Sequence, residues 1–177
     1  MPPLPSPILP VTAAPAAESP RAPSAWLVVC LGLSQLVAWG TMHYLIAVFG
    51  APIAADLGWS ATFVQGGFSL GLVTMGLASY RAGAWIDRHG GRAAMMTGCW
   101  CGAAGCALLA TTHHAAQFVA AWILLGLGMR LALYDAAFAA LAHVAGPAAK
   151  RSMSIITLFG GLASTVFWPL GQFLATS

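Results

Sequence analysis

The ten residues from Gly83 to Arg92 read Gly-Ala-Trp-Ile-Asp-Arg-His-Gly-Gly-Arg, and they separate two long apolar runs. They contain one of the chain's four acidic residues and two of its seven basic ones. A segment this polar is unstable in hydrocarbon, and the adjacent Gly90 and Gly91 give the backbone the freedom that a tight turn needs. We therefore predict a turn at a membrane surface, which fixes the topology of the runs on either side.

The composition as a whole is typical of an integral membrane protein. Of the 177 residues, 59% are hydrophobic and only 6% are charged, whereas about a quarter of the residues in a soluble domain carry charge. The mean hydropathy is +0.82. The formal net charge of +3 does not indicate a nucleic-acid partner, because seven scattered basic residues are too few to follow a phosphate backbone.

Five apolar runs are each about long enough to cross a bilayer as a helix. The predicted crossings are 26–48, 61–80, 93–110, 116–142 and 152–174. Between the first two, Gly50 to Trp59 is expected to form a loop or a short interfacial helix, and Ser60 is expected to cap the second helix. The predicted fold class is therefore all-α and membrane-spanning, with about five crossings.

Residues 1–25 differ in composition from the rest, since they are rich in Pro and Ala. We expect a disordered tail that is retained rather than cleaved. The basic residues outside the runs lie before the first helix, between helices two and three, or between helices four and five. They are Arg21, Arg81, Arg88, Arg92, Lys150 and Arg151. By the positive-inside rule, we expect a multi-pass protein of the inner (cytoplasmic) membrane with a cytoplasmic N-terminus.

Small and sulfur-containing residues inside the runs are expected to serve helix packing. Gly67 with Gly71, and Gly98 with Gly102, have the four-residue spacing that lets helices approach closely in lipid. The four cysteines also fall inside apolar runs, where cysteine packs as a small residue. No His or Cys spacing indicates a metal or haem site, so we predict no metal, no cofactor and no catalytic residues.

The turn after the second run resembles the signature loop between helices two and three of major facilitator superfamily transporters. The matching residues are Gly83, Asp87, Arg88, Gly90 and Arg92, while Gly91 stands where a basic residue is usual. The resemblance implies that this loop serves switching between inward-open and outward-open states. Asp87 would lie at the start of helix three, the arginines would tie helix ends together, and Gly83 would allow close contact between helices. Alternatively, Arg88 and Arg92 are only topology charges.

The resemblance covers most of the chain after the tail. It implies a fold of twelve helices in two six-helix halves, with the substrate site between the halves. Residues 26–177 would then be part of the first half, and further C-terminal helices are expected in the full-length protein. Similarity to the monocarboxylate and oxalate/formate branch is carried by Trp39-Gly40, Tyr44, Leu57-Gly58-Trp59-Ser60, Gly160-Gly161 and Trp168-Pro169.

Arg130 is predicted to lie near the middle of the fourth crossing, where a guanidinium needs water or a partner. Its planar fork suits a carboxylate, and the resemblance places the fourth helix at the cavity, so we predict that Arg130 binds an organic anion. Tyr134 shares its helix face, Trp39 and Tyr44 of helix one are further candidates for substrate contact, and Asp135 is a candidate proton carrier. Two alternatives stay open: an internal pair of Arg130 with Asp135, or a helix shift that brings both charges to the cytoplasmic interface.

The resemblance, together with Arg130, thus implies a secondary active transporter that moves a small organic anion, such as a monocarboxylate, by alternating access, coupled to protons or to a counter-substrate. One alternative is a small membrane oxidoreductase linked to quinone or haem, although no cysteine pair lies in an outer loop and no histidine pair faces another across helices. Another is a truncated product without transport activity. We therefore predict a transporter and not an enzyme.

Overall fold

The computed structural model describes residues 23–176, and the secondary structure in that range is entirely helical. The elements are α1 (Ala25–Ala38), a π-helical segment (Trp39–His43), α2 (Leu45–Leu57), α3 (Ala61–Ala110), α4 (Ala115–Ala132), α5 (Tyr134–Ala145), a 3-10 turn (Gly146–Ala148) and α6 (Ala149–Thr176). The predicted all-α fold is confirmed. Residues 1–22 of the expected tail lie outside the described residues, and Ser24 caps α1 by accepting a hydrogen bond from the Leu27 amide at 3.2 Å.

Three continuous apolar stretches are long enough to span a membrane. They cover Ala25–Leu57, Ala61–Ala110 and Ala115–Ala175, with mean hydropathies of 1.6, 1.5 and 1.7. The middle stretch has 50 residues, or about 75 Å at helical rise, which is more than twice the roughly 30 Å of hydrocarbon in a bilayer. It therefore contains two crossings, and the division falls at Gly90, whose φ of 81° and ψ of 159° interrupt the helix.

Contacts with α4 establish that the chain reverses at Gly90. From the start of α4 to its end, the contacted residues of α3 increase in residue number in the part before Gly90. In the part after Gly90, they decrease in residue number. The pairs are Phe118 and Trp122 with Gly67, Gly126 with Gly71, Leu125 with Gly105, and Ala132 with Gly98. Residues 61–89 thus run parallel to α4, residues 91–110 run antiparallel to it, and the two parts cross the membrane in opposite directions.

These contacts also confirm the packing role predicted for the small residues of α3. A Cβ atom built at Gly98 would lie 2.6 Å from the Ala132 amide nitrogen, and one at Gly67 would overlap two aromatic rings of α4. The fully buried Phe118, Trp122, Leu125 and Met129 fill the centre of this interface. Two of the cysteines differ from the prediction, because Cys30 and Cys99 are exposed rather than packed between helices.

The other half of the bundle is formed by the first crossing and α6, which run parallel to each other. Close approaches occur in ascending order along both, between Gly32 and Phe159, Gly40 and Phe167, and Val48 and Gly171. The first crossing runs antiparallel to α4, because Gln35 contacts Ala132 whereas Met42 contacts Gly128. Residues 23–176 therefore form five crossings. The described fold is therefore an all-α membrane bundle in which odd-numbered crossings share one direction.

The first and second crossings have different boundaries from those predicted. The first helix continues past Pro52, where one backbone hydrogen bond is lost, and ends only at the left-handed Gly58 (φ 64°). The predicted turn over 83–92 is reduced to Gly90, because residues 83–89 remain helical. The Ser60 cap is confirmed, since its hydroxyl accepts from the Phe63 amide at 3.2 Å.

Candidate functional site

The predicted fourth crossing, 116–142, is not one helix but two, and the break lies between the two charged residues of interest. Leu133 adopts an extended conformation with φ of −79° and ψ of −166°, so that α4 ends and α5 begins there. In a continuous helix, residues five positions apart point about 140° away from each other. The break removes that obstacle, and Arg130 Nη1 forms an ion pair with Asp135 Oδ2. Of the alternatives that the sequence left open, the internal pair is therefore present.

The two charges also suit the helix ends that carry them. Arg130 lies in the last turn of α4 and Asp135 in the first turn of α5, where the helix dipoles favour a cation and an anion respectively. Leu133 provides no side-chain cap for α5, and the first amide groups of any helix lack an intrahelical acceptor. The break therefore places a guanidinium and uncapped N–H groups close together.

The depth of these charges follows from the packing of α5 against the Gly90 turn. A Cβ atom at Gly91 would lie 2.6 Å from the Ala136 carbonyl oxygen and 2.5 Å from the Ala140 amide nitrogen, so this part of α5 is level with the turn. Asp135 is adjacent to that level, and its side chain is 57% exposed. Arg130 precedes Asp135 by five residues, or roughly 7.5 Å at helical rise, and its side chain is only 17% exposed. Asp135 is thus the more exposed of the two and lies closer to the Gly90 turn, whereas Arg130 lies further into the bundle.

A buried glutamine of α1 forms a hydrogen bond with the backbone at the end of α4, next to the break. Gln35 is completely buried, and its Nε2 donates a hydrogen bond to the Ala132 carbonyl oxygen at 2.8 Å. Carbonyl groups in the last turn of a helix have no intrahelical donor, so this bond satisfies one acceptor that the end of α4 leaves free. Sequence reasoning missed Gln35. The available signal was a polar amide inside an apolar crossing, where such groups bond across helices.

Aromatic residues connect the break to the first crossing and to α6. The rings of Trp39 and Tyr134 have centroids 5.1 Å apart, and the Tyr134 hydroxyl donates to the Thr157 carbonyl oxygen at 3.1 Å. Gly160 leaves the space that the Tyr134 hydroxyl fills. Trp39 belongs to the π-helical segment, a geometry that is frequent at functional sites. Tyr44 lies at the edge of this group, with its ring centroid 6.3 Å from that of Trp39.

The structure thus brings together Gln35, Trp39, Arg130, Tyr134 and Asp135, which we call the helix-break cluster. Three buried polar atoms in it have no hydrogen-bond partner among the described residues, namely Gln35 Oε1, Trp39 Nε1 and Arg130 Nε. Buried polar groups are nearly always paired with protein or water. One acceptor and two donors without partners are therefore consistent with a site that holds a polar molecule.

The signature loop residues lie at the Gly90 end of the bundle. Asp87, Arg88 and Arg92 are all exposed, and within residues 23–176 none of the three takes part in an ion pair. A Cβ atom at Gly83 would meet no atom within 4 Å, so the close helix contact that was expected there occurs at Gly91 instead. The expected tie between helix ends is not formed among the described residues. Asp87 also differs from the expectation, because it precedes Gly90 and lies at the end of the second crossing rather than at the start of the third.

Comparison with known proteins gives one family. A sequence model of the family described as Major Facilitator Superfamily matches residues 27–177. Searches of curated proteins and of solved structures find no significant match. The family match extends from α1 to the end of α6 and includes both the signature loop and the helix-break cluster, but it does not distinguish one branch of the superfamily from another.

Proposed function

This chain belongs to the Major Facilitator Superfamily, and on that premise we propose that it carries a small organic anion, such as a monocarboxylate, across the membrane by alternating access. Membership of a transporter family argues against the oxidoreductase alternative. The observation that supports an anionic substrate is the position of Arg130, inside the bundle at the end of α4 and beside the uncapped start of α5.

An anion would gain two kinds of interaction at this break. The Arg130 guanidinium can bind a carboxylate through two parallel hydrogen bonds, and the first amides of α5 add the positive end of a helix dipole. Broken helices whose N-termini face an anionic group are a recurrent way of binding substrates in membrane transporters. Trp39 and Tyr134 would form an aromatic wall for the organic part, with Tyr44 further out.

Asp135 suggests how transport would be coupled to protons. In the ion pair, the Asp135 carboxylate contacts the Arg130 guanidinium, which a substrate carboxylate would need to bind. When Asp135 accepts a proton, its charge is lost, and the guanidinium becomes available to the substrate. We therefore assign Asp135 the role of proton carrier, with proton and anion moving in the same direction.

The packing of α5 offers a route from this cluster to the signature loop. Gly91 lies against Ala136 and Ala140, so that a displacement of α5 about Leu133 displaces the turn as well. In the opposite state of the transport cycle, Asp87 and the two arginines would then meet partners on helices beyond the described residues. On this view Gly83, Asp87, Arg88, Gly90 and Arg92 act in switching and not in substrate contact.

The proposal includes those further helices and an orientation. Arg88, Arg92, Lys150 and Arg151 lie at helix ends beside the connections between crossings two and three and between four and five. By the positive-inside rule, we propose a cytoplasmic N-terminus in the inner membrane. An antibody against residues 1–22 should detect a product well above 18.2 kDa in source membranes. A product of 18.2 kDa would refute the proposed further helices.

Uptake by native membrane vesicles tests the substrate class. Vesicles should accumulate one or more radiolabelled monocarboxylates when the outside is acidic, and Arg130→Gln should abolish that uptake. Arg151→Gln removes an equal charge from an exposed position and should leave uptake unchanged. Retention of uptake in Arg130→Gln, or uptake of neutral solutes alone, would contradict an organic anion as the substrate.

A further inference from the structure

A groove of about 470 Å³ opens at the Gly90 end of the bundle, where α1, α3 and α5 meet. It is separate from the helix-break cluster. His89, Arg92 and His143 provide the polar part of its lining. The remaining wall is apolar, and its larger side chains are Leu27, Leu31, Met95, Met96, Leu141 and Val144. The groove is therefore amphipathic, with its polar groups contributed by two different helices.

The polar and apolar parts of the groove are stacked along the membrane normal. Residues 91–110 run from the Gly90 turn into the membrane, so Met95 and Met96 lie one helical turn, or about 5 Å, deeper than Arg92. Leu31 likewise lies one turn deeper than Leu27 along α1. The charge is consequently at the membrane surface and the apolar wall is beneath it.

The surroundings of the groove place its polar part at the depth of lipid headgroups. The ring of Trp85 packs against that of His89 with centroids 5.3 Å apart, and tryptophan is enriched at this depth. Asp87 lines a neighbouring concavity together with Arg88, His89 and His143. Within the groove itself, the titratable side chains are one arginine and two histidines.

We propose that this groove binds an anionic phospholipid, with the phosphate held by Arg92, His89 and His143 and one acyl chain lying along Met95 and Met96. Basic pockets between transmembrane helices are suited to anionic headgroups. The apolar wall below the charges selects a lipid over a free phosphate, because only a lipid would cover both parts. This site is independent of which substrate the protein carries.

Native mass spectrometry of the purified protein in a mild non-ionic detergent tests the headgroup contact. Phosphatidylglycerol should remain bound where phosphatidylcholine of the same chain length is lost. Arg92→Gln should weaken phosphatidylglycerol binding about fivefold, the usual effect of one arginine near an anionic lipid surface. Arg151→Gln, which removes an exposed arginine outside the groove, should have no effect. Equal losses in the two variants would overturn the site.

The apolar wall requires a second comparison. Met96 is 55% exposed, and Leu77, in the part of α3 before Gly90, is 80% exposed, so neither side chain fills the core of the bundle. Met96→Gln should weaken phosphatidylglycerol binding, and Leu77→Gln should not. Glycerol phosphate, which has the headgroup without the chains, should compete poorly. If it competes as well as the lipid, or if Met96→Gln binds normally, the site binds free phosphate and the lipid proposal is wrong.

Discussion

Replacement of Gly91 by Ala should destabilise the bundle, although the change adds a single methyl group. The new Cβ would lie 2.5 Å from both the Cβ and the amide nitrogen of Ala140, and 2.6 Å from the Ala136 carbonyl oxygen. Ordinary contact begins near 3.4 Å, so α3 and α5 must separate by about 0.9 Å, the difference between the two values. Because two of the three atoms belong to the backbone, no change of rotamer relieves the overlap. Overpacking of this kind costs about 1–3 kcal/mol.

Reversible unfolding of the purified protein in mixtures of mild detergent and sodium dodecyl sulfate measures that free energy. The expected loss corresponds to roughly a 5- to 150-fold change in the folding equilibrium. Gly83→Ala is the matched control, because its Cβ meets nothing within 4 Å. It should be neutral or stabilise by about 0.4–1 kcal/mol through a less flexible unfolded chain. Wild-type stability in Gly91→Ala, or the same change in both variants, would refute the assignment of Gly91 as the close contact.

Three further predictions concern the helix-break cluster and use the same unfolding measurement. Arg130→Gln and Asp135→Asn should each lower the free energy of unfolding. The double variant should lower it by less than the sum of the two, with a coupling energy of about 0.5–3 kcal/mol. Additive losses would mean that the ion pair contributes nothing to stability. Gln35→Leu should cost about 1 kcal/mol, because it leaves a buried carbonyl without a donor, and an unchanged stability would show that water replaces the amide. Gly160→Ala should displace the Tyr134 hydroxyl and lower the free energy of unfolding by about 1–3 kcal/mol. Gly161→Ala is the control and should be neutral, because its Cβ has no neighbour within 4 Å. Equal changes in stability in the two variants would contradict the predicted overlap.

The number of crossings was predictable from sequence because the bilayer imposes a length on each apolar run. The Ser60 cap and the division of α3 near Gly90 were also predictable, since both depend on local chemistry of the backbone. The detail of the turn was not. Gly91 was expected to provide backbone freedom, yet its helical conformation needs none, and its role is to let α5 approach. That role depends on residues about 50 positions away, which a local pattern does not reveal.

The helix break could not be predicted from its own sequence. Residues 130–135 read Arg-Leu-Ala-Leu-Tyr-Asp and contain neither Gly nor Pro, the residues that usually interrupt helices. The contacts that accompany the break come from elsewhere in the chain, namely the Gln35 amide on α1 and the close approach of Gly91 on α3. Composition could still identify Arg130 as a residue in need of a partner, and spacing could name Asp135 as one option. Only the tertiary structure shows the geometry that joins them.

The hydrogen bond between Gln35 and Ala132 has a consequence for how the protein is made. Its two residues are 97 positions apart, so at about 5–20 residues per second of synthesis the acceptor follows the donor by roughly 5–20 s. Throughout that interval the first crossing has a side-chain amide without its final partner, and hydrocarbon supplies no substitute. The first crossing is therefore expected to wait beside the insertion machinery, near water or protein, until the fourth crossing arrives and allows both to enter the lipid together.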